Sequence, residues 1–287
     1  MFTSQSLARR IERAEVSLVV AAARAAARRV PAVQLLIQDM CGGAAVFVER
    51  GAPFNKVVGV GFEGVPAAEV LDRLEQDFAD RQAPLSFEVS TLADPALMRT
   101  LTARGYLLTG FEHVLGLPLN ASTRFDPVPG VEVLRAGDEE SAVWMDVVAT
   151  GFEHPELDGP TSQPPVPRDV LERVFGDTMA APGFERYLAR RGGVVAGGAT
   201  FRIEDGVAQL SGAATLPAHR RHGVQSALLR HRLAEAVRRG CDIAVVTTEP
   251  GSTSQQNGQA AGFALLYARA VLVKEPSAVS RQPLAES

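Results

Sequence analysis

Cysteine and lysine are nearly missing from this chain. The two cysteines, Cys41 and Cys241, lie far apart. They give neither metal-ligand spacing nor a disulfide framework, so no metal site is expected and a reducing compartment is. Lysine occurs only at Lys56 and Lys274, so nearly all of the 29 basic residues are arginine. Set against 33 acidic residues they leave a net charge of −4, without the strongly basic face that nucleic-acid binding needs. Long charge-free apolar runs are lacking too. The N-terminal stretch "EVSLVVAAARAAARR" is broken by Arg24, Arg28 and Arg29 and flanked by Glu12 and Glu15. Neither a secretory core nor a ~20-residue membrane span tolerates those charges. The stretch is expected to be an Ala-rich surface helix of a cytoplasmic protein with no membrane partner. The arginine and alanine bias points to a GC-rich bacterial genome.

What is present is the composition of a folded protein, 46% hydrophobic and 22% charged over 287 residues. That length suits two domains of roughly 100–200 residues. Residues 5–29 have helical spacing, with Leu7, Ile11, Val16, Val19 and Val20 on one broad face. Extended segments follow at "AVQLLIQ", "AAVFVER" and "KVVGVGF", separated by glycine turns. Residues 66–82 are helical, with Val70, Leu71, Leu74 and Phe78 in phase. A strand "LSFEVS", a helix capped by Asp94 with Pro95 at its first position, and a strand pair "YLLTGFEHVLGLPL" complete the first half. The polar, turn-rich segment 119–130 marks a boundary, giving expected domains of 1–125 and 126–287.

The second half repeats the order. It opens with a strand "VEVLRA", an acidic helix start at Asp138, Glu139 and Glu140, and a helix through Trp144 and Val148. After the Pro-rich loop 153–168 come a second helix and three extended segments, "ERYLARR", "VVAGGATFRIE" and "VAQLSGAATL". A loop through Arg221 then leads into a helix from Gly223 to Arg239, with Val224, Ala227, Leu228, His231, Ala234 and Val237 on one face. A buried-type strand "CDIAVVTTE", a short helix and "FALLYARAVLVK" close it. Both halves end on a small residue, a glycine and an aromatic before a last strand, which suggests two copies of one fold.

The turn at 216–229 carries the chemistry. A loop entering a helix presents unpaired backbone N–H groups and the positive end of the helix dipole. Gly223 leaves that end open, Ser226 and Ala227 are small, and Arg220 and Arg221 bring positive charge. Glycine in a strand–helix turn can also be purely structural. In context, Arg220, Gly223 and Gln225 occupy the places of the (Arg/Gln)-x-x-Gly-x-(Gly/Ala) pyrophosphate loop of the GNAT superfamily of N-acetyltransferases. The sequence resembles that family over about residues 130–275, and more loosely over 30–118.

The resemblance implies an α/β (α+β) fold of two GNAT-like domains, each a mixed, mostly antiparallel sheet flanked by helices. It implies acetyl-CoA as co-substrate. The amides of His222, Gly223, Val224, Gln225 and Ser226 would hold its pyrophosphate beside Arg220 and Arg221. Backbone groups of Ala213, Ala214 and Thr215 would pair with the pantetheine arm like an added strand. The thioester would enter where this strand splays from "IAVVTTE", opened by a bulge at Gly212. Two positions depart from the family pattern. Gln225 stands where Gly or Ala is preferred, its side chain free to point outward, and the family's frequent general-acid Tyr and preceding Asn fall at Gly258 and Gly251.

The acid is therefore unassigned, with Asn257, Ser254 and Ser252 as polar alternatives near the cofactor. Glu249 at a strand end is a candidate base, or a solvated carboxylate. Glu153 and His154 lie where the family often binds acceptors, although a surface-loop histidine needs no role. Trp144 and Phe152 either wall the acceptor site or pack the core, and His231 reads as a partly buried packing residue. In the first half the equivalent turn, "GFEGVPAAEV", lacks the loop pattern and places Glu63 against any phosphate. That half is expected to have no cofactor of its own and to help shape the acceptor pocket. The expected function is acetyl-CoA-dependent N-acetylation of a small-molecule or peptide amine, by a monomer or homodimer. A non-catalytic acyl-CoA-binding or sensing module and a purely structural protein are the alternatives.

Overall fold

Five elements recur in the same order in each half: a strand, a long helix, a strand parallel to the first, a short helix and a long strand. The computed structural model describes residues 3–29, 35–154 and 167–276. In the first half the series is β3 (Lys56–Val58), α2 (Ala68–Asp80), β4 (Leu85–Ser90), α3 (Pro95–Ala103) and β5 (Leu107–Pro118), preceded by α1 (Gln5–Arg29), β1 (Leu36–Met40) and β2 (Gly43–Phe47). In the second half it is β9 (Val207–Thr215), α6 (Val224–Arg238), β10 (Ile243–Thr248), α7 (Thr253–Ala260) and β11 (Ala264–Lys274). Ahead of these stand β6 (Val131–Arg135), α4 (Ser141–Glu153), α5 (Arg168–Ala180), β7 (Glu185–Arg191) and β8 (Val194–Glu204). Local chemistry sets several boundaries: Asp94 accepts from the Ala96 amide to cap α3 ahead of Pro95, and the Ser252 hydroxyl caps α7.

The strands form one sheet of eleven in the order β1-β2-β3-β4-β11-β5-β10-β9-β8-β7-β6. It is mostly antiparallel, with parallel pairs at β3/β4 and β9/β10, the two places where a long helix crosses over. The last strands of the two halves are exchanged. β5 pairs with β10 of the second half, β11 pairs with β4 of the first, and the two pair with each other between them.

Where the sequence suggests two strands, residues 107–118 form one. β11 pairs with it from Leu107 to Gly116 and β10 from His113 to Pro118, so the strand runs unbroken. Gly116 serves packing rather than a turn: a Cβ there would lie 2.5 Å from Leu266 Cδ1.

The two faces of the sheet are covered differently. Gly197 and Gly198 on β8 mark them, since a Cβ on the first would strike Val224 of α6 and on the second Val148 of α4. The core beneath α6 joins Phe201, Leu210, Leu228, Leu233 and Phe263; the first half has its own core around Leu71, Phe78, Phe87 and Leu97. On α6 the buried stripe runs Val224, Leu228, Arg232, Ala236, whereas Ala234 is exposed. The i, i+4 stripe beneath the helix thus includes an arginine in place of the expected alanine.

α1 is not the surface helix its alanines suggest. Ala8, Ala14, Ala22, Ala23, Ala25 and Ala26 are all buried, because their small side chains let the helix lie close to the sheet. α1 also spans both halves: Arg10 bonds Asp242, and Arg29 bonds Asp177 through two oxygens at 2.8 Å each. Among the described residues no helix is long and apolar enough to cross a membrane.

Candidate functional site

β9 and β10 run parallel only from Val207/Ile243 to Gln209/Val245, and beyond that they part. The divergence begins beside a bulge, where Gly212 and Ala213 of β9 oppose the single residue Ala199 of β8. Gly212 adopts φ +55°, and a Cβ there would press on Thr200 and Phe175. The wedge opens into a cavity of about 540 Å³ that passes through the sheet. On the α6 face its wall includes Gln225, Leu229, Arg232, Asn257 and Phe263; on the other it includes Glu15, Phe54, Phe152, Phe175 and Thr200. Glu15 and Phe54 come from the first half, so that half does shape the cavity.

At the wide end of the wedge β9 gives way to a short 3-10 turn at Pro217–His219 and then to α6. Two left-handed residues shape the entry, Arg221 at φ +61° and Gly223 at φ +79°. Gly223 is the N-cap of α6, and among the described residues no side chain caps the helix. Its first-turn amides are therefore without a side-chain acceptor in this position, the arrangement that takes an anion. A Cβ on Gly223 would lie 3.0 Å from Val128 Cγ1, so the cradle suits glycine. Arg220 donates to the His154 carbonyl, drawing the end of α4 toward this turn. The Thr215 hydroxyl, at the end of β9, is buried without a partner among the described residues. Uncapped amides, an open strand edge and an orphan hydroxyl fit a phosphorylated cofactor with an amide-bearing arm.

Gln225 lines the cavity instead of pointing outward. Asn257 and Glu249 also line it, and the Glu249 carbonyl accepts from the Ser252 hydroxyl at 2.7 Å. Ser252 is thereby committed to capping α7, while Ser254 faces the cavity. Glu153 is turned to Arg168 at 3.0 Å, and His154 Nδ1 lies 2.9 Å from the Thr150 carbonyl. Residues 155–166, most of the Pro-rich loop expected to define the acceptor, lie outside the described residues. Gly258 is buried, and a Cβ there would meet Leu115 at 3.2 Å, leaving no room for a tyrosine. The chain's tyrosines serve elsewhere: Tyr267 donates to Glu12, Tyr187 to Glu185, and Tyr106 packs against Phe87. Trp144 is core, donating to the Ala199 carbonyl, whereas Phe152 walls the cavity. His231 packs against Tyr187 with the rings tilted at 58°, and burial holds its pKa below the usual value.

Two features of this region are missed by sequence reasoning. Arg232, in the floor of the wedge, is 2% exposed. Its Nε donates to the Leu228 carbonyl at 3.1 Å, and its Nη1 to the carbonyls of Thr200 at 2.9 Å and Ser211 at 3.3 Å. Burial pulls its pKa down to about 10, so it remains a cation at neutral pH. The other feature is a buried charge cluster behind Glu15. Arg269 reaches Glu12 at 2.8 Å, Glu112 at 3.2 Å and Glu15 at 3.8 Å. Burial raises the pKa of Glu12 and of Glu112. No local signal marks either feature, because each is made by residues distant in sequence.

The uncapped helix entry beside a parallel pair forced apart by a bulge is the decisive geometry, and residues 153–264 match the model of the Acetyltransferase (GNAT) family. This segment is a GNAT domain. Solved structures extend the likeness to the whole chain. A GCN5-related N-acetyltransferase from Kribbella flavida is 19% identical, with 90% of this chain and 96% of that one covered and a TM-score of 0.60. A tandem GNAT protein from the clavulanic acid biosynthesis pathway is 15% identical, with 89% and 87% covered and a TM-score of 0.60. A functionally unknown conserved protein from Staphylococcus epidermidis is 11% identical, with 87% and 97% covered and a TM-score of 0.58. Comparison with curated proteins gives no match. At these identities the structures establish the shared fold. The first half has no equivalent of the GNAT loop at its own strand–helix turn. Glu63 is instead held by Arg9 and by Arg13, the latter at 3.1 Å, and these arginines keep its carboxyl below the usual range.

Proposed function

We propose that this chain is an N-acyltransferase that uses acetyl-CoA to acetylate a small-molecule or peptide amine, with one cofactor site per chain, in the second half. The observation that supports this most directly is the uncapped, glycine-opened start of α6 at the mouth of the β9/β10 wedge. In this reading the amides of His222 to Ser226, with Arg220 and Arg221, hold the pyrophosphate. The free edge of Ala213, Ala214 and Thr215 holds the pantetheine arm.

When bound, acetyl-CoA supplies an activated acyl thioester. The cavity's passage through the sheet lets an amine approach from the α1, α4 and α5 face. There Glu15 supplies a polar group, Phe152 and Phe175 exclude water, and Glu153 and His154, outside the cavity wall at the end of α4, would meet an acceptor only on its way in. Glu249 accepts the proton that an ammonium must lose before its lone pair can form the new C–N bond. In that site Asn257 would donate a hydrogen bond toward the CoA sulfur, which would leave as the thiol with the amine's second proton, and a β9 amide near Ala213 would serve the carbonyl oxygen. Most of the acceleration on this scheme comes from holding two reactants together in the wedge, worth up to roughly 7–11 kcal/mol in ideal cases.

The test is an amine panel followed by thiol release from acetyl-CoA, with Gly223→Ala and Gly223→Glu as controls. The alanine variant is expected to weaken cofactor affinity about tenfold, through the left-handed φ and the Val128 contact. The glutamate variant, which adds a negative charge at the phosphate site, is expected to abolish binding. Wild-type behaviour of Gly223→Glu would remove the phosphate-loop assignment. The lack of a tyrosine on the cavity wall favours a second reading, a CoA-binding module without turnover. It predicts saturable acetyl-CoA binding with no thiol release from any amine of the panel.

A further inference from the structure

Three arginines of the described residues are buried: Arg202, Arg232 and Arg269. Two of them face carboxylates. Arg202 Nη2 lies 2.6 Å from Glu204, and Arg269 lies 2.8 Å from Glu12 and 3.2 Å from Glu112. Arg232 faces none. Its partners among the described residues are the carbonyls of Leu228, Thr200 and Ser211, which engage Nε and Nη1. Among the described residues Nη2 makes no hydrogen bond, and the side chain lines the cavity. A buried guanidinium ordinarily has an anion beside it, because carbonyl dipoles satisfy its protons without neutralising its charge. The three carbonyls tie Arg232 to the backbone beside the bulge. They leave its charge, and one face of its fork, directed at the cavity.

Position along α6 indicates what would meet it. Arg232 lies eight residues into the helix, about 12 Å from the anion-binding end at 1.5 Å per residue. Its bonds to Thr200 and Ser211 put it at the narrow end of the wedge, next to the last paired residues Gln209 and Val245. A cofactor held by its phosphates at Gly223 and running along β9 therefore points its acyl end at Arg232. The acceptor side, lined by Phe54, Phe152 and Phe175, is on the opposite face of the sheet.

We infer that Arg232 is a carboxylate-binding point of the donor pocket, so that the preferred acyl group is that of a short dicarboxylic acid bound to CoA through one carboxyl and to Arg232 through the other. A bidentate guanidinium–carboxylate contact suits the planar fork. The acetyl thioester fits the same pocket but leaves Arg232 without its anion. This inference rests on the reading of the wedge as a CoA-thioester site.

Titration calorimetry of the full chain with CoA, acetyl-CoA and succinyl-CoA tests it without needing an acceptor. Succinyl-CoA is expected to bind at least about tenfold more tightly than acetyl-CoA, as a charge-assisted pair in a buried site should. Arg232→Gln is expected to bring that ratio to about one, and Arg232→Lys to keep part of it. Equal affinities for the two thioesters in the wild-type chain would overturn the inference while leaving the CoA site standing, and they require no variant to fold. Binding of none of the three probes would overturn the site and the inference together. Carboxylate and carboxamide pairs of amines, assayed with acetyl-CoA, form the last arm. Equal donor affinities with an Arg232-dependent preference for the carboxylate amines would move the anion to the acceptor and overturn the donor assignment.

Discussion

Glu235 shows how far one side chain's environment can be turned into a measurement. Arg238 bonds its carboxylate at 2.8 and 2.5 Å and Arg239 at 2.5 Å, and these pairs lower its pKa from 4.5 to about 2. A depressed carboxylate contributes stability that is present above its unfolded value and is lost as pH falls toward its folded one. Glu235→Gln should therefore lower the melting temperature at pH 7 by roughly 2–4 °C, about 1 kcal/mol for a partly screened pair. The gap to wild type should narrow between pH 4.5 and pH 3. A gap that stayed constant with pH would mean the arginines do not act through this carboxylate. Residues of this kind divide by legibility. Gly223 and its arginines could be read because loop, glycine and helix are contiguous. Arg232 could not: in "LLRHRLAEAVRR" it is one arginine among several, and only the i, i+4 stripe under α6 distinguishes it from Arg230 and Arg239. The Glu12–Arg269 pair joins opposite ends of the chain, and no window of sequence contains both.

Elements meet closely where α6 crosses β8. A Cβ at Gly197 would lie 2.7 Å from the Ala214 carbonyl and 2.7 Å from Val224 Cγ1, and the carbonyl belongs to a paired strand that cannot retreat. Gly197→Ala should destabilise the chain by about 1–3 kcal/mol, seen as a lower urea midpoint with an unchanged slope. Gly176, inside α5, is the opposite case, with nothing within 4 Å of an added Cβ. Gly176→Ala should raise the midpoint by about 0.5–1 kcal/mol through helix propensity alone. If both substitutions moved stability the same way, the helix–sheet spacing described for α6 would be wrong. The repeated element order was readable because each half carries its own strand and helix periodicities and its own closing glycine–aromatic turn. The pairing of the last strands was not, because nothing in the apolar residues of β5 and β11 selects a neighbour from the same half over one from the other. Likewise a sequence shows that a side chain is missing at Gly116 but not that Leu266 fills the space.

For the whole molecule, the exchange of β5 and β11 decides how it unfolds. If each half were a closed unit, the second could lose its packing while the first stayed folded. Here β10 has β5 on its outer edge, and β11 is flanked on both sides by strands of the first half. Separating the halves would break three pairings and expose six strand edges in the middle of the sheet, each with unpaired backbone groups. α1 adds further ties, since Arg202 of β8 bonds Ser17 at 2.8 Å and Arg269 of β11 bonds Glu12. The chain should therefore unfold in one cooperative transition despite its two repeats. The single tryptophan makes this testable, because Trp144 is fully buried in α4 of the second half and reports that half alone. Its fluorescence and the far-ultraviolet circular dichroism of all helices should trace the same urea curve, with one midpoint and one slope. A Trp144 transition that preceded the loss of helix would show that the second half opens independently. The exchanged strands would then not couple the wedge to the first half, and the contributions of Glu15 and Phe54 to the cavity wall could vary while the cofactor loop stayed in place.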